Sequence, residues 1–203
     1  MIRLAISKGR ILEEGLKVLE QAGIVCSINP LNSRKLIIPT SDKNIEIVII
    51  KATDVPLYID SGKVDIGIVG IDTLLEEETH NHYRLKDLGI SLCKLVVAGK
   101  PGKEYFNNMK IATKYPNVAK KYFEKIGLQC SILKLYGSIE LAPVLNLSDF
   151  IVDIVESGKT LKENGLKEYD KISSVSSLLI SNKASYKLKR KEIDLFLKRI
   201  ERI

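Results

Sequence analysis

The stretch Asp149-Phe150-Ile151-Val152-Asp153-Ile154-Val155-Glu156-Ser157-Gly158-Lys159-Thr160-Leu161 decides the fold. Phe150 to Val155 is apolar on both faces apart from Asp153, the pattern of a strand buried inside a sheet. Ser157-Gly158 interrupts it, and Leu161-Lys162-Glu163-Asn164 continues helically to Gly165. Strand, short loop and helix in succession are the building unit of α/β proteins with largely parallel sheets.

The same alternation runs upstream. Ile2 to Ile6 reads as a first strand and Ser7-Lys8-Gly9-Arg10 as a turn. Ile11, Leu12, Gly15, Leu16, Leu19 and Ala22 then recur at helical spacing, with Gly23 as the stop. Leu36-Ile37-Ile38 and Ile45 to Ile50 are strands, the second apolar on both faces and therefore central. Thr53-Asp54 is expected to cap a short helix that passes through Pro56 and ends at Ser61-Gly62. Val64 to Gly70 is a strand, and Ile71-Asp72-Thr73-Leu74-Leu75 opens the next helix. After the apolar run Leu92 to Ala98, Gly99-Lys100-Pro101-Gly102 suggests a domain crossover nearby.

A second set then begins. Lys110 to Thr113 is a strand, Pro116 to Lys125 a helix and Gln129 to Leu135 a strand. Ser138 is expected to cap a helix with Glu140 in its first turn. Ser174 to Ile180 reads as one strand, and the final residues form a basic amphipathic helix with Ile193, Phe196, Leu197, Ile200 and Ile203 on one side. That stripe needs a surface, expected to be the first domain. No internal repeat is visible.

Composition narrows the function classes. The chain has 203 residues, enough for one large domain or two small ones. A hydrophobic share of 45% with 28% charged residues is that of an ordinary globular protein. No apolar run approaches the roughly 20 residues needed to span a bilayer, and the N-terminus meets Lys8-Gly9-Arg10 too early for a secretory core. A cytoplasmic location with no membrane partner is expected. Cys26, Cys93 and Cys130 stand far apart in apolar stretches and read as buried reduced thiols. The net charge of +7 lies largely on helix faces such as Lys187 to Lys191 and Lys120-Lys121. A nucleic-acid module would need a recognition motif and an aromatic platform, and neither is present. A basic cleft for small polyanions remains.

Chemistry concentrates in residues 153–161. Unpaired N–H groups at a strand-to-helix turn, with the helix dipole behind them, suit a phosphate monoester. Gly158 permits close approach, and Ser157 and Thr160 add hydroxyl donors. Asp153 and Glu156 could bind ribose hydroxyls directly or through Mg²⁺. The alternative is a plain capped helix in which Ser157 only satisfies backbone. The loop is not a Walker A sequence, because Asp153 stands where the upstream glycine belongs. Lys8 and Arg10 sit at the C-terminal end of the first strand, where ligands of open α/β sheets gather. With Arg34 and Lys51 they could clamp a polyphosphate, or they are solvated charge. Asp72 is a ligand or a first-turn helix residue, and Tyr115 stacks on a base or packs. His80 and His82, in the polar run Glu76 to Tyr83, lack a third ligand at any useful spacing and read as an exposed loop.

From Glu140 onward the sequence resembles the signature of the ATP phosphoribosyltransferase family. Glu140, Ser148, Ile151, Asp153, Ile154, Ser157, Gly158, Thr160, Leu161 and Asn164-Gly165-Leu166 fall at its spacings, with Asn146 where glycine is usual. Leu4 to Arg10 resembles the family's opening strand and Lys-Gly-Arg turn, with Ser7 where proline is common. Arg34 to Thr40, Asp54-Val55-Pro56, Asp65 to Gly70, Ala112 to Asn117 and Lys134 to Pro143 also match in order, and Lys51 stands where arginine is frequent.

The resemblance implies an α/β fold of two lobes with mixed, mainly parallel sheets, like the type II periplasmic binding proteins. Lobe I would comprise residues 1–92 completed by a C-terminal helix over 182–203, lobe II residues 93–181, with the active site in a cleft between them. The implied reaction joins ATP and 5-phosphoribosyl 1-pyrophosphate to give N1-(5-phosphoribosyl)-ATP and pyrophosphate with Mg²⁺, the first step of histidine biosynthesis. Lys8, Arg10 and Asp153 would be catalytic. Asp153, Glu156, Ser157, Gly158, Lys159, Thr160 and Leu161 would bind phosphoribosyl pyrophosphate. Lys8, Gly9, Arg10, Arg34, Lys51, Asp72 and Tyr115 would bind ATP, and Asp153 and Glu156 the metal. Only residues 183–203 follow Asn182, which implies the short form: a self-dimer working with a histidyl-tRNA-synthetase-like regulatory subunit in a hetero-oligomer. The competing class is a binding protein of the same architecture that closes on an anion without turnover.

Overall fold

The computed structural model describes residues 1–77 and 81–201. The chain divides into two compact units, residues 1–91 with 176–203, and residues 92–175.

In the first unit β1 (Ile2–Ser7) lies between β3 (Ile45–Ile50) and β4 (Ile66–Gly70), parallel to both. Flanking strands run antiparallel: β2 (Ile37–Pro39) on β3, β11 (Ser177–Asn182) on β4, and β5 (His82–Asp87) on β11, giving the order β2-β3-β1-β4-β11-β5. One core lies under α1 (Arg10–Gln21) and α8 (Arg190–Glu201), where Leu12 and Leu19 meet Ile193, Phe196 and Ile200 over Ile2, Leu4, Ile6 and Ile47. The C-terminal helix therefore covers the first unit, as its apolar stripe requires; truncating a side chain as buried as Phe196 costs about 3–5 kcal/mol. On the other side α2 (Val55–Asp60) packs Val55 and Ile59 onto β4. A Cβ on Gly67 would stand 3.0 Å from Val55 Cγ1 and 3.2 Å from Ile59 Cδ1, so glycine lets this helix sit close. Helix α3 (Ile71–Glu77) follows β4 directly, and α7 (Lys183–Leu188) precedes α8.

In the second unit β7 (Met109–Thr113) is the parallel centre between β8 (Cys130–Lys134) and β9 (Phe150–Val155). Strand β6 (Cys93–Gly99) runs antiparallel to β9, and β10 (Lys167–Val175) antiparallel to β6, giving the order β10-β6-β9-β7-β8. Helices α4 (Pro116–Lys125), α5 (Leu141–Val144) and α6 (Lys159–Glu163) complete it. Tyr105, Phe123, Phe150 and Tyr169 form an edge-to-face aromatic cluster. Burial and the hydrogen bond to Asp170 push the Tyr105 hydroxyl well above its usual range.

Both sheets are mixed: parallel pairing joins β3-β1-β4 in one and β9-β7-β8 in the other, where β8 is the edge strand, and the remaining pairings are antiparallel. Several expectations are corrected. The run Ser174 to Ile180 is not one strand: β10 ends at Val175 and β11 begins at Ser177, so the chain returns to the first unit there rather than at 181. Pairing of β11 with β4, Ser177 beside Gly70 and Ser181 beside Ile66, holds it in the first unit. Thr53-Asp54 does not cap α2; a 3₁₀ turn over Ala52–Asp54 runs into the helix instead. Ser138 does not cap α5 by its side chain; it takes φ 48° and its carbonyl accepts from the N–H of Leu141. His82 is not in an exposed loop. It opens β5 with its side chain 5% exposed, Nδ1 lying 3.5 Å from Asp60 Oδ1, because Asn182 pairs with it across β11. His80 and Ile203 fall outside the described residues.

Candidate active site

Residues at the C-terminal ends of parallel strands converge, because those ends point the same way and the loops leaving them crowd together. In the second unit these are the loops after β7 and β9. Strand β9 ends at Val155, and Glu156-Ser157-Gly158 bridges to α6. Gly158 takes φ 75°, a left-handed conformation that side chains with a Cβ resist. Glu156, Ser157, Lys159 and Thr160 are exposed. Lys162 N–H bonds Gly158 O, while no backbone partner is found among the described residues for the N–H groups of Ser157, Gly158, Thr160 and Leu161. Leu161 is buried in one cluster with Val96, Ala112 and Ile151, so its side chain anchors the loop. Lys159 lies 3.8 Å from Glu163 on the open face of α6.

Asp153 is three residues before Glu156, its side chain 15% exposed. Its Oδ1 accepts from the N–H of Ile154 at 2.8 Å and lies 3.8 Å from the ammonium of Lys114. Lys114 was not singled out as a site residue from the sequence; its place at the end of β7, the parallel partner of β9, could have suggested it. Thr113 Oγ1 donates to Val152 O and accepts from Tyr115 N–H, pinning the two strand ends together. Tyr115 is buried beneath the Lys114 ammonium, 5.0 Å from its ring centroid. Tyr115 as a whole is only 5% exposed.

In the first unit the equivalent edge carries cations. Ser7 lies beside Ile50, so Lys8 and Lys51 leave adjacent strand ends, and the N–H of Lys8 bonds Ile50 O. Gly9, at φ 95°, turns the chain into α1, where Arg10 donates to Ser91 O at 2.9 Å and stands 3.8 Å from Glu14. Arg34 is exposed in the segment before β2, whose neighbour Leu36 accepts from the N–H of Ile49. The sequence-expected Lys8, Arg34 and Lys51 thus share one sheet edge. Asp72 differs: it is a buried first-turn residue of α3, its carboxylate folded back so that a Cβ on Gly70 would fall 2.1 Å from Oδ1. Among the described residues no cluster of three or more His, Cys, Asp or Glu could hold a metal ion, and no helix is long and apolar enough to cross a membrane.

The profile of the family HisG: ATP phosphoribosyltransferase matches residues 51–202. The ATP phosphoribosyltransferase of Clostridium kluyveri is 48% identical over 203 residues, covering 98% of this chain and 92% of that one. That of Methylococcus capsulatus is 48% identical over 190 residues, covering 93% and 89%. The chain belongs to the ATP phosphoribosyltransferase family. Its activity is therefore pentosyl transfer from phosphoribosyl pyrophosphate to ATP, the first step of histidine biosynthesis. Among solved structures, the ATP phosphoribosyl transferase (HisG:HisZ) complex from Thermotoga maritima superposes with a TM-score of 0.88 at 36% identity, covering 100% of this chain and 98% of that one. The periplasmic aliphatic sulphonate binding protein SsuA of Escherichia coli gives 0.62 at 13% identity over 98% and 70%, which shows the shared fold alone. The concave surface of about 320 Å³ bordered by Asn108, Lys120 and Cys130 lies at the opposite end of β7 and β8 and does not belong to this site.

Proposed function

We propose that the loop Glu156-Ser157-Gly158-Lys159-Thr160 seats the 5-phosphate of phosphoribosyl pyrophosphate and that Lys8, Arg10, Arg34 and Lys51 take the polyphosphate charge. The observation that carries this reading is the turn around the left-handed Gly158, flanked by exposed residues and with several amide N–H groups for which no backbone partner is found among the described residues. Adenine N1 attacks the ribosyl C1; the C1–N1 bond forms as the C1–O bond breaks, and its electron pair leaves on pyrophosphate. N1 carries a lone pair already, so no covalent enzyme intermediate and no strong base are required. What the step needs is charge compensation at the leaving group and a carboxylate near the electron-poor ribosyl carbon. Lys8, Arg10 and Lys51 meet the first need and Asp153 the second. Holding the donor by its phosphate contributes the orientational part, several kcal/mol in favourable cases.

Asp153 and Glu156 are the carboxylates that would hold Mg²⁺. One carboxylate near the end of β9 and one on the exposed loop after it would suit an ion that keeps water and substrate oxygens in its shell, and would not suit a closed protein cage. When bound, Mg²⁺ neutralises charge on the pyrophosphate. Tyr115, being buried, and Asp72, folded onto Gly70, are assigned structural support in this reading rather than adenine contact.

The reading extends to assembly. The solved Thermotoga protein has nearly the length of this chain and its complex contains HisZ. We take this chain to be a short-form catalytic subunit, self-associating as a dimer and working in the cytoplasm with a histidyl-tRNA-synthetase-like regulatory partner. Pyrophosphate release from ATP and phosphoribosyl pyrophosphate, measured with and without Mg²⁺ and with and without that partner, tests the whole. Histidine inhibition of the chain alone would overturn the partner assignment. Metal-independent turnover would overturn the Mg²⁺ role.

A further inference from the structure

Behind the phosphate loop stands an ion pair that the reaction so described does not use. Lys94 on β6 lies beside Val155, the last residue of β9 before the loop. Its ammonium donates to Glu168 Oε2 at 2.5 Å. The other oxygen, Glu168 Oε1, comes within 3.2 Å of where a Cβ on Gly158 would stand. Both side chains are about one-third exposed. The backbone of β10 slips register just after Glu168, between it and Asp170, and such a bulge re-aims side chains.

A carboxylate this near the residue whose amide would face a phosphate dianion is electrostatically wrong for anion binding unless it is neutralised. Lys94 supplies the opposing charge. We propose that the Lys94–Glu168 pair positions the donor loop: Glu168 fills the space beside Gly158 and helps hold its left-handed turn, and Lys94 cancels a charge that would otherwise repel the 5-phosphate. This rests on the reading of residues 156–160 as the phosphate seat. Lys94 is a positioning residue, touching neither substrate nor the reacting atoms.

The test is steady-state kinetics of the full chain in the assembly in which it turns over. Lys94→Met should raise KM for phosphoribosyl pyrophosphate about tenfold, with KM for ATP and Tm little changed, because a bare carboxylate then faces the dianion. The penalty should shrink as salt rises from low to physiological ionic strength, since screening weakens an exposed repulsion. Lys94→Arg should keep near-normal KM. Lys94→Met combined with Glu168→Gln should recover most of the loss, which no simple packing role for Lys94 predicts. A KM for Lys94→Met within twofold of the parent, or a loss that the second substitution does not relieve, overturns the proposal. Gly158→Val separates this failure from a failure of the phosphate seat. If it abolishes donor binding while Lys94→Met does nothing, the brace alone is wrong; if it leaves donor binding intact, the seat is wrong.

Discussion

Without the short edge strand β2, the first unit is wired as the second is. In each, the first strand (β1 or β7) sits between the second (β3 or β8) and the third (β4 or β9), all parallel. An antiparallel strand follows on the third, β11 in one and β6 in the other, and an antiparallel edge strand closes the sheet. The antiparallel strand is in both cases the one that begins where the chain has just entered the unit, at Cys93 and at Ser177. The difference lies after the third strand. In the first unit β4 runs straight into α3, and the Asp72 carboxylate folds over Gly70. In the second, three residues intervene before α6 and the left-handed Gly158 opens the turn. If the two ends hold anions as proposed, one wiring offers two ways to do so: with side-chain cations where the strand-to-helix turn is closed, and with backbone where it is open.

Gly158→Val breaks this contrast most directly. A β-branched residue at φ 75° is strained at any spacing, and its Cβ also meets Glu168 at 3.2 Å. The turn should relax toward the closed form of the first unit. We expect kcat/KM for phosphoribosyl pyrophosphate to fall about 10²–10³-fold, the loss seen when fixed backbone-type donors are removed. Circular dichroism should show the sheets intact. Isothermal titration of the donor checks it, and undiminished affinity would refute the backbone seat.

Lys8→Met addresses the other unit and should cost less, about 10- to 50-fold in kcat/KM, because Arg10, Arg34 and Lys51 share its task. Its effect should diminish with salt, whereas that of Gly158→Val should not. Equal salt sensitivity of the two variants would erase the distinction drawn between the edges.

The elements on which this comparison rests were unequally legible. Strands β7 and β9 and helix α4 follow from short apolar runs and from Pro116, local signals that need no knowledge of the rest. The loop at 156–160 stands out for the same reason. Strands β5 and β10 were missed: His82–Asp87 and Lys167–Val175 are largely polar edge strands, so their identity comes from partners far off in sequence. The break at Ser176 is equally tertiary, since nothing in Ser174 to Ile180 marks that one half pairs with β6 and the other with β4. Within the site, Lys8 and Lys51 could be placed from strand ends, but the burial of Tyr115 and the pairing of Lys114 with Asp153 appear only when β7 and β9 are set side by side. The duplicated wiring is likewise invisible in the sequence, because a shared topology constrains hydrophobic pattern and not residue identity.

Protonation should distinguish the units too, more gently. The described histidine, His82, lies in the first unit, against Asp60 of α2, with Arg84 on its own strand and Lys183 at the start of α7. Burial holds its pKa below the ordinary value, with Arg84 and Lys183 adding to this and Asp60 opposing. The folded state thus binds its proton less readily than the unfolded chain. Stability is full above about pH 6.5, the unfolded value, and declines as pH falls through it. Tm should drop slightly between pH 7 and pH 5, and amide exchange should quicken in β5 and β11 before β7 and β9. His82→Gln should flatten that dependence; an unchanged slope would assign it to other groups, though not to Asp65, whose pKa is held low against its burial by Lys189 and the N–H of Arg3, so that its contribution is lost only at lower pH.

The smallest expected effect sharpens the contrast most, because it concerns a cation inside the phosphate loop itself. Lys159 belongs to the run that would bind the donor, and proximity in sequence suggests that its charge assists. The geometry argues otherwise: its side chain is exposed and lies 3.8 Å from Glu163 one turn along α6, where an i,i+4 pair contributes only a few tenths of a kcal/mol. If unit two holds phosphate by backbone, Lys159→Ala should change KM for phosphoribosyl pyrophosphate by less than about twofold, against the much larger loss in Lys8→Met. A loss comparable to that of Lys8→Met would mean that the ammonium swings onto the phosphate when the donor binds, and that both edges rely on side-chain charge after all.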